Sequence, residues 1–254
     1  MKKIVKNPLI ILAAGVIVVA ASGVGATTAA SRAYSDSTQY VDFETKQLLV
    51  DILENQGTSD KADYVSVKEA SLSFPGIAAE MQTNDSDANN DKPFKIGKAY
   101  PEDVIVKNTS TGNYDEYVRV MVRRSWTGAD GQKDLLLDPS LIKLGVNESE
   151  WIEDKAEVTT EGQAFYLKKP LSPGETAQFL KTITIDNKVV TYVKTVDSDK
   201  EEGVVVNEYK YNNKKFFVEL RVDAVQQHNA TEAILGAWGV NATLDADGNI
   251  TAIN

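Results

Sequence analysis

Three features of the sequence predict an all-β protein, an antiparallel β-sandwich with one short helix near its C-terminus. The strongest segments repeat with a period of two: Val118, Val120 and Val122 fall on one side of residues 116–126, and Arg119, Met121 and Arg123 on the other. Such alternation marks a sheet with one buried face. Roughly nine short apolar runs are separated by Asn, Asp, Gly and Pro, residues that accept turn geometry. Helical spacing is scarce, which favours packed antiparallel sheets over a mixed fold.

Taken in order, residues 41–53 alternate weakly and end in an apolar cluster (Leu48, Leu49, Val50, Ile52, Leu53) that reads as one or two strands entering the core. Residues 55–62 form a turn, Tyr64, Val65 and Val67 a short strand, and residues 75–81 a short helical or irregular crossing. Residues 84–91, NDSDANND, are an acidic loop. Residues 97–126 read as a central hairpin, two strands joined by the polar loop at 108–113. Asp130-Gly131 is a tight-turn pair. Leu135, Leu136, Leu137, Leu141 and Ile142 then make an apolar segment broken by Pro139, followed by Trp151-Ile152 and a strand at 165–167.

The turn LSPGET at 171–176 delivers a strand over 177–185, which Asp186-Asn187 reverses into 189–193. A charged stretch at 197–202 precedes a strand over 204–211, and Asn212-Asn213 turns the chain into the last strand. There Phe216, Val218, Leu220, Val222 and Ala224 share one face, with Glu219, Arg221 and Asp223 opposite. Asn229 has N-cap chemistry, with Glu232 at capping-box spacing, and Ala233, Ile234 and Ala237 follow at helical intervals before Gly239 stops the helix.

The chain of 254 residues is long enough to bury a sizeable core without covalent staples, and it has no cysteine. Lys2, Lys3 and Lys6 precede an apolar run over residues 8–24 and then small residues, which predicts a signal peptide over residues 1–33 cleaved between Ala33 and Tyr34, and a single domain over 34–254. An uncleaved anchor is the alternative, the only membrane contact foreseen. Cleavage removes four positive charges (Lys2, Lys3, Lys6, Arg32) and no negative one, taking the formal charge from −10 to −14. A body that acidic repels nucleic acid and anionic lipid, so neither is expected as a partner.

Candidate chemistry is thin. Asp85, Asp87 and Asn89 alternate as calcium ligands do, but Asn90 and Ile96 stand where an EF-hand loop needs Gly and Glu. The run from Asp245 to Asn249 contains Asp-Gly and reads as a turn. His228 is the single histidine, too few for a helical zinc-protease site, and no G-x-S-x-G elbow or phosphate-binding glycine loop occurs. Adjacent carboxylates, Asp115 with Glu116 and Glu153 with Asp154, carry no information in so acidic a chain. Arg119, Arg123 and Arg124 are candidates for an anionic polysaccharide, against the plainer reading of cross-strand charge pairing. Trp126, Trp151 and Trp238 are candidates for stacking on sugars, against the plainer reading of core.

Landmarks recur in a telling order: AYS at 33–35, AYPEDVIVKN at 99–108, EYVRV at 116–120 leading to Trp126, WIED at 151–154, LSPGE at 171–175, and VDAVQ at 222–226 ending in AWG at 237–239. In this order the chain resembles the camelysin/TasA-like exported proteins of Gram-positive bacteria. The resemblance implies a jelly-roll-like β-sandwich, processing by a SipW-type signal peptidase, and residence in the extracellular matrix or on the cell surface; the residues themselves point to no cofactor. In the TasA branch, subunits assemble into biofilm fibres, the segment after the cleavage site of one completing the sheet of the next. The corresponding strand donor here is residues 34–43, with Tyr34, Tyr40, Val41 and Phe43. Pairing an extended segment with an exposed edge is a general route to affinity through backbone hydrogen bonds. The expectation is a non-enzymatic secreted structural protein; a secreted carbohydrate- or protein-binding module is the alternative. A metallopeptidase, as the camelysin branch has been called, comes third, because one histidine does not build a zinc site.

Overall fold

Strand alternation and turn chemistry combine into two antiparallel sheets. The computed structural model describes residues 48–58, 60–67, 71–81, 94–156, 158–197 and 205–254. The first sheet joins β1 (Val50–Asn55), β2 (Tyr64–Ser66), β3 (Ala99–Asn108), β5 (Ile142–Val146) and β8 (Thr176–Ile185) in the order β2-β1-β3-β8-β5. The second joins β4 (Glu116–Thr127), β6 (Trp151–Glu153), β7 (Gly162–Leu167) and β11 (Lys215–Gln226) in the order β11-β4-β7-β6. Two ribbons stand apart from them, β9 (Val193–Asp197) with β10 (Val205–Tyr209), and β12 (Ala242–Leu244) with β13 (Ile250–Ile253). Helices α1 (Pro75–Met81) and α2 (Ala230–Trp238), with 3-10 turns at Pro139–Leu141 and Asn187–Val190, complete the described elements. The all-β sandwich and its C-terminal helix are as the sequence predicts.

The core lies between the sheets because the inward positions of both are apolar. Val104, Val106, Phe179 and Ile183 point inward from the five-stranded sheet to meet Val118, Val120, Val122, Val218 and Leu220 from the four-stranded one, all buried in one cluster. Phe179 sits edge-on to Trp151 and Phe165, at centroid distances of 5.0 and 5.7 Å. Trp126 closes one end edge-on to Tyr211 and Phe216, its indole N–H donating to Asp138 O at 2.9 Å.

Four expectations need correction. The segment at 97–126 is not a hairpin, since β3 and β4 belong to different sheets. The loop at 109–115 crosses between layers, anchored where Asn108 Nδ2 donates to Leu171 O at 2.9 Å and Ser110 N–H donates to Asn108 Oδ1 at 2.9 Å. β4 pairs instead with β11, over twelve residues in register from Lys215↔Thr127 to Gln226↔Glu116. Second, Leu135 and Leu136 are 75% and 80% exposed; of that apolar run only Leu137, Leu141 and Ile142 enter the core. Third, residues 187–190 form a 3-10 turn capped by Asp186 rather than a strand, and pairing resumes at β9. Fourth, Asn229 occupies the N-cap of α2 in a left-handed conformation (φ 52°) without a side-chain cap bond, while Glu232 accepts from the Thr231 hydroxyl. Gly239 ends the helix in the left-handed conformation as expected, its N–H donating to Leu235 O.

The C-terminal residues add a layer that the strand pattern does not announce. Tyr117, Ala164, Tyr166 and Val225 project from the outer face of the four-stranded sheet into a second buried cluster with Ile234 and Trp238 of α2, Val240 and Ile250. The Tyr117 hydroxyl donates to Gly248 O at 2.6 Å, and Ile250 N–H donates to Lys168 O at 2.7 Å.

Phe179→Ala removes a fully buried ring from the inter-sheet core and is expected to lower the unfolding free energy by about 3–5 kcal/mol. Leu136→Ala, at an exposed position, is expected to change it by no more than about 0.5 kcal/mol. Urea denaturation of both variants against the parent measures the difference.

Candidate functional site

The residues singled out for chemistry are mostly consumed by structure. Arg119 Nη2 donates to Asp223 Oδ2 at 2.9 Å across the β4–β11 pair, and its guanidinium lies 5.3 Å from the Trp238 ring centroid. Arg123 is exposed, whereas Arg124 has the parity of the valines and points inward. There it is 7% exposed, its Nη1 donating to Ile142 O at 3.0 Å. Burial pulls the Arg124 pKa down, against the opposing pull of Glu153 and Asp138. The three arginines are therefore divided between two faces of one strand and form no common patch. All three tryptophans are core, at 7% exposure or less. Trp151 Nε1 donates to Gln178 O at 2.8 Å.

The paired carboxylates also separate. Glu116 is buried against the Ser110 hydroxyl, which donates to it; burial raises its pKa while Ser110 and the Leu49 main chain pull it back. Asp154 accepts from Ala156 N–H at 2.9 Å, and Glu153 accepts from Gln163. Asp245 accepts from the N–H groups of Asp247 and Asn249 around Gly248, whose φ is 80°, and these bonds, with that from the Asn249 side chain, hold its pKa down. That is the turn its sequence predicts. His228 is exposed on the rim of an open cleft of about 570 Å³ lined by Asn113, Tyr114, Asp115, Gln226, Gln227 and Asn229. Among the described residues no three His, Cys, Asp or Glu side chains converge as a metal site.

The cleavage residues Ala33 and Tyr34, the donor residues Tyr40, Val41 and Phe43, and the acidic loop at 84–91 lie outside the described residues. Their point of entry is described: Leu49 N–H donates to Ser110 Oγ at 2.7 Å, and Thr109 N–H donates to Leu49 O at 2.7 Å.

Two features escaped the sequence reading. The first is a long sheet edge. β11 has twelve residues and, among the described residues, one neighbouring strand, β4. Leu72 N–H donates to Val218 O at 3.1 Å from the other side. Ladder groups alternate in direction, so the main-chain groups of residues 216, 218, 220, 222 and 224 all face this outer side. Among the described residues the only bridge made to it is Ser71↔Glu219.

The second is a pair of buried glutamates. Glu54 on β1 and Glu102 on β3 are 2% and 1% exposed. Glu54 accepts from Ser73 N–H at 2.9 Å, Phe74 N–H at 3.0 Å and the Ser73 hydroxyl. No donor among the described residues reaches either Glu102 oxygen. Burial first, then the neighbouring Glu54 carboxyl and Asp103, push the Glu102 pKa up to about 9. At neutral pH, Glu102 is therefore a carboxylic acid whose own O–H points to the Glu54 carboxyl, which the Ser73 and Phe74 donors already serve. Although the arrangement resembles an acid–base dyad, both members lie beneath the surface, out of reach of a substrate.

Comparisons with protein-family models, curated proteins and solved structures find no match to this chain.

Glu102 sets a pH slope. Its folded pKa of about 9 exceeds the unfolded value of about 4.3, so the folded state holds the extra proton between them, and stability declines as pH rises through that window. Glu102→Gln, a neutral mimic of the protonated acid, is expected to flatten the decline. Denaturant titrations of both proteins from pH 5 to pH 9 read this directly.

Proposed function

We propose that this protein is a secreted structural component of the cell surface or biofilm matrix, a fibre subunit that assembles by strand addition. The observation that carries the reading is the outer side of β11, a run of parallel-facing main-chain donors and acceptors bridged among the described residues only through Ser71 and Leu72. A sheet edge of this length with so few bridges among the described residues is a template for an extended segment of another chain. The donor in this proposal is residues 34–43 of a second copy, where Tyr34, Tyr40, Val41 and Phe43 supply anchoring side chains. Export, cleavage after Ala33 by a SipW-type peptidase and the jelly-roll-like topology are parts of the same proposed kinship with the camelysin/TasA-like proteins.

A second reading, a secreted module that binds carbohydrate or protein, draws on the polar cleft around His228 and Tyr114, the latter 50% exposed. The metallopeptidase reading draws nothing from His228, which faces solvent beside amide side chains.

Protein spanning residues 34–254 is expected to grow into filaments visible by electron microscopy, and protein spanning 44–254 to remain monomeric. Monomers in both preparations overturn the fibre proposal. His228→Ala and Tyr114→Ala are expected to leave filament growth unchanged; loss of a measured glycan or protein ligand in these variants favours the binding module instead.

A further inference from the structure

The gap between β1 and β11, on opposite layers of the sandwich, is crossed by residues 71–74. Ser71 bridges Glu219 and Leu72 N–H donates to Val218 O, which fastens this strap to the four-stranded sheet. Ser73 and Phe74 give both amides and one hydroxyl to Glu54, which fastens it to the five-stranded sheet. Phe74 has φ 56°, a left-handed conformation that strains a bulky residue and persists only where surrounding contacts impose it. Its ring rests 5.1 Å from that of Phe216. Then α1 begins, with Ile77 and Ala78 N–H donating to Phe74 O.

Glu102 lies beside the anchor carboxylate of this strap. The charges that act on it are Glu54 from β1 and Asp103 from its own strand, both negative. From α1 comes Glu80, engaged with Lys98. β8 sets Thr182 and Leu180 against this part of β3, and the charged side chains of β11, Glu219 and Arg221, are exposed on its outer face. One negative charge is well served by the three strap donors; a second in the same place meets, among the described residues, the repulsion of Glu54 and Asp103. The backbone of Glu54 is fixed by ladders on both sides, paired with Val65 of β2 and Val104 of β3, and Glu102 sits in the irregularity of β3 between the pairs Pro101↔Thr182 and Val104↔Leu180, which hold the strand on either side of it. The strap, held by far fewer bonds, is the part able to yield.

We propose that Glu54 and Glu102 form a proton-operated latch on residues 71–74. With one proton shared, the strap stays across the gap and covers β11 at Val218 and Glu219. When the Glu102 O–H gives its proton to solvent, two carboxylates remain in a space that satisfies one, the strap lets go so that water can enter, and the β11 edge opens to an extended segment from another copy. That last step rests on the strand-addition reading; the latch does not.

The absence of cysteine makes an introduced thiol unique. In Leu72→Cys, a position 7% exposed, the labelling rate relative to the unfolded chain at the same pH is expected to rise roughly tenfold between pH 7 and pH 10. Adding Glu102→Gln is expected to abolish the rise. Ser71→Cys serves as the probe if Leu72→Cys does not fold. An equal rise with and without Glu102→Gln overturns the latch. Sedimentation of the 34–254 protein at both pH values reads the second step: an assembled fraction that grows with labelling in the parent and not in Glu102→Gln supports it. A latch that opens without any gain in assembly leaves the latch standing and overturns its link to strand addition.

Discussion

β4 is the constraint on which the rest depends, because it is buried on both sides. Its valines, at positions 118, 120 and 122, form the floor of the inter-sheet core, while Tyr117 reaches the other way into the cluster beneath α2. Each fully buried valine-sized side chain contributes about 1.5–3 kcal/mol, so the three valines, with Tyr117 and Trp126 buried beside them, make β4 a main support of both clusters. Its partners follow from this position. β11 must match it along its whole length, β7 must present Phe165 inward and Tyr166 outward, and β3 must lie in the opposite layer to cover the valines.

Burying a strand so completely forces polar side chains inward wherever the alternation places them. Asn108, Arg124, Glu54, Glu102 and Glu116 occupy inward or crossover positions, and buried polar groups are costly unless bonded. Most are turned to use as fasteners: Asn108 pins the crossover, Arg124 binds the start of β5, and Glu54 gathers the strap. Glu102 is the exception, keeping its proton instead of finding a donor. The interior is thus specific where it is polar and cohesive where it is apolar.

Much of this was legible in the sequence. The alternation in residues 116–126 and 216–225 marked the two long strands and their faces correctly, and LSPGE at 171–175 correctly introduced β8. What failed had a common physical origin, namely that local pattern does not say which strands meet. β3 and β4 each look like half a hairpin, yet their valine faces belong to opposing layers. The inward positions of Glu102 and Arg124 follow from extending the parity of Val104 and Val118, against the usual preference of charge for the surface. β12 and β13 are too short for a period to register, and residues 1–47, which carry the expectations about export and strand donation, lie outside the described residues.

The C-terminal cap has a geometric consequence. By seating α2 and the β12–β13 ribbon against Tyr117, Ala164 and Tyr166, the chain removes one broad side of the sandwich from the surfaces on which a flat neighbour could stack. The opposite broad side mixes Lys107, Thr182 and Thr184 with Leu53 and Ile105, all half-buried. Stacking on the capped side is thereby disfavoured, and under the strand-addition proposal what copies share is the rim, a geometry that propagates as a thread and not as a slab.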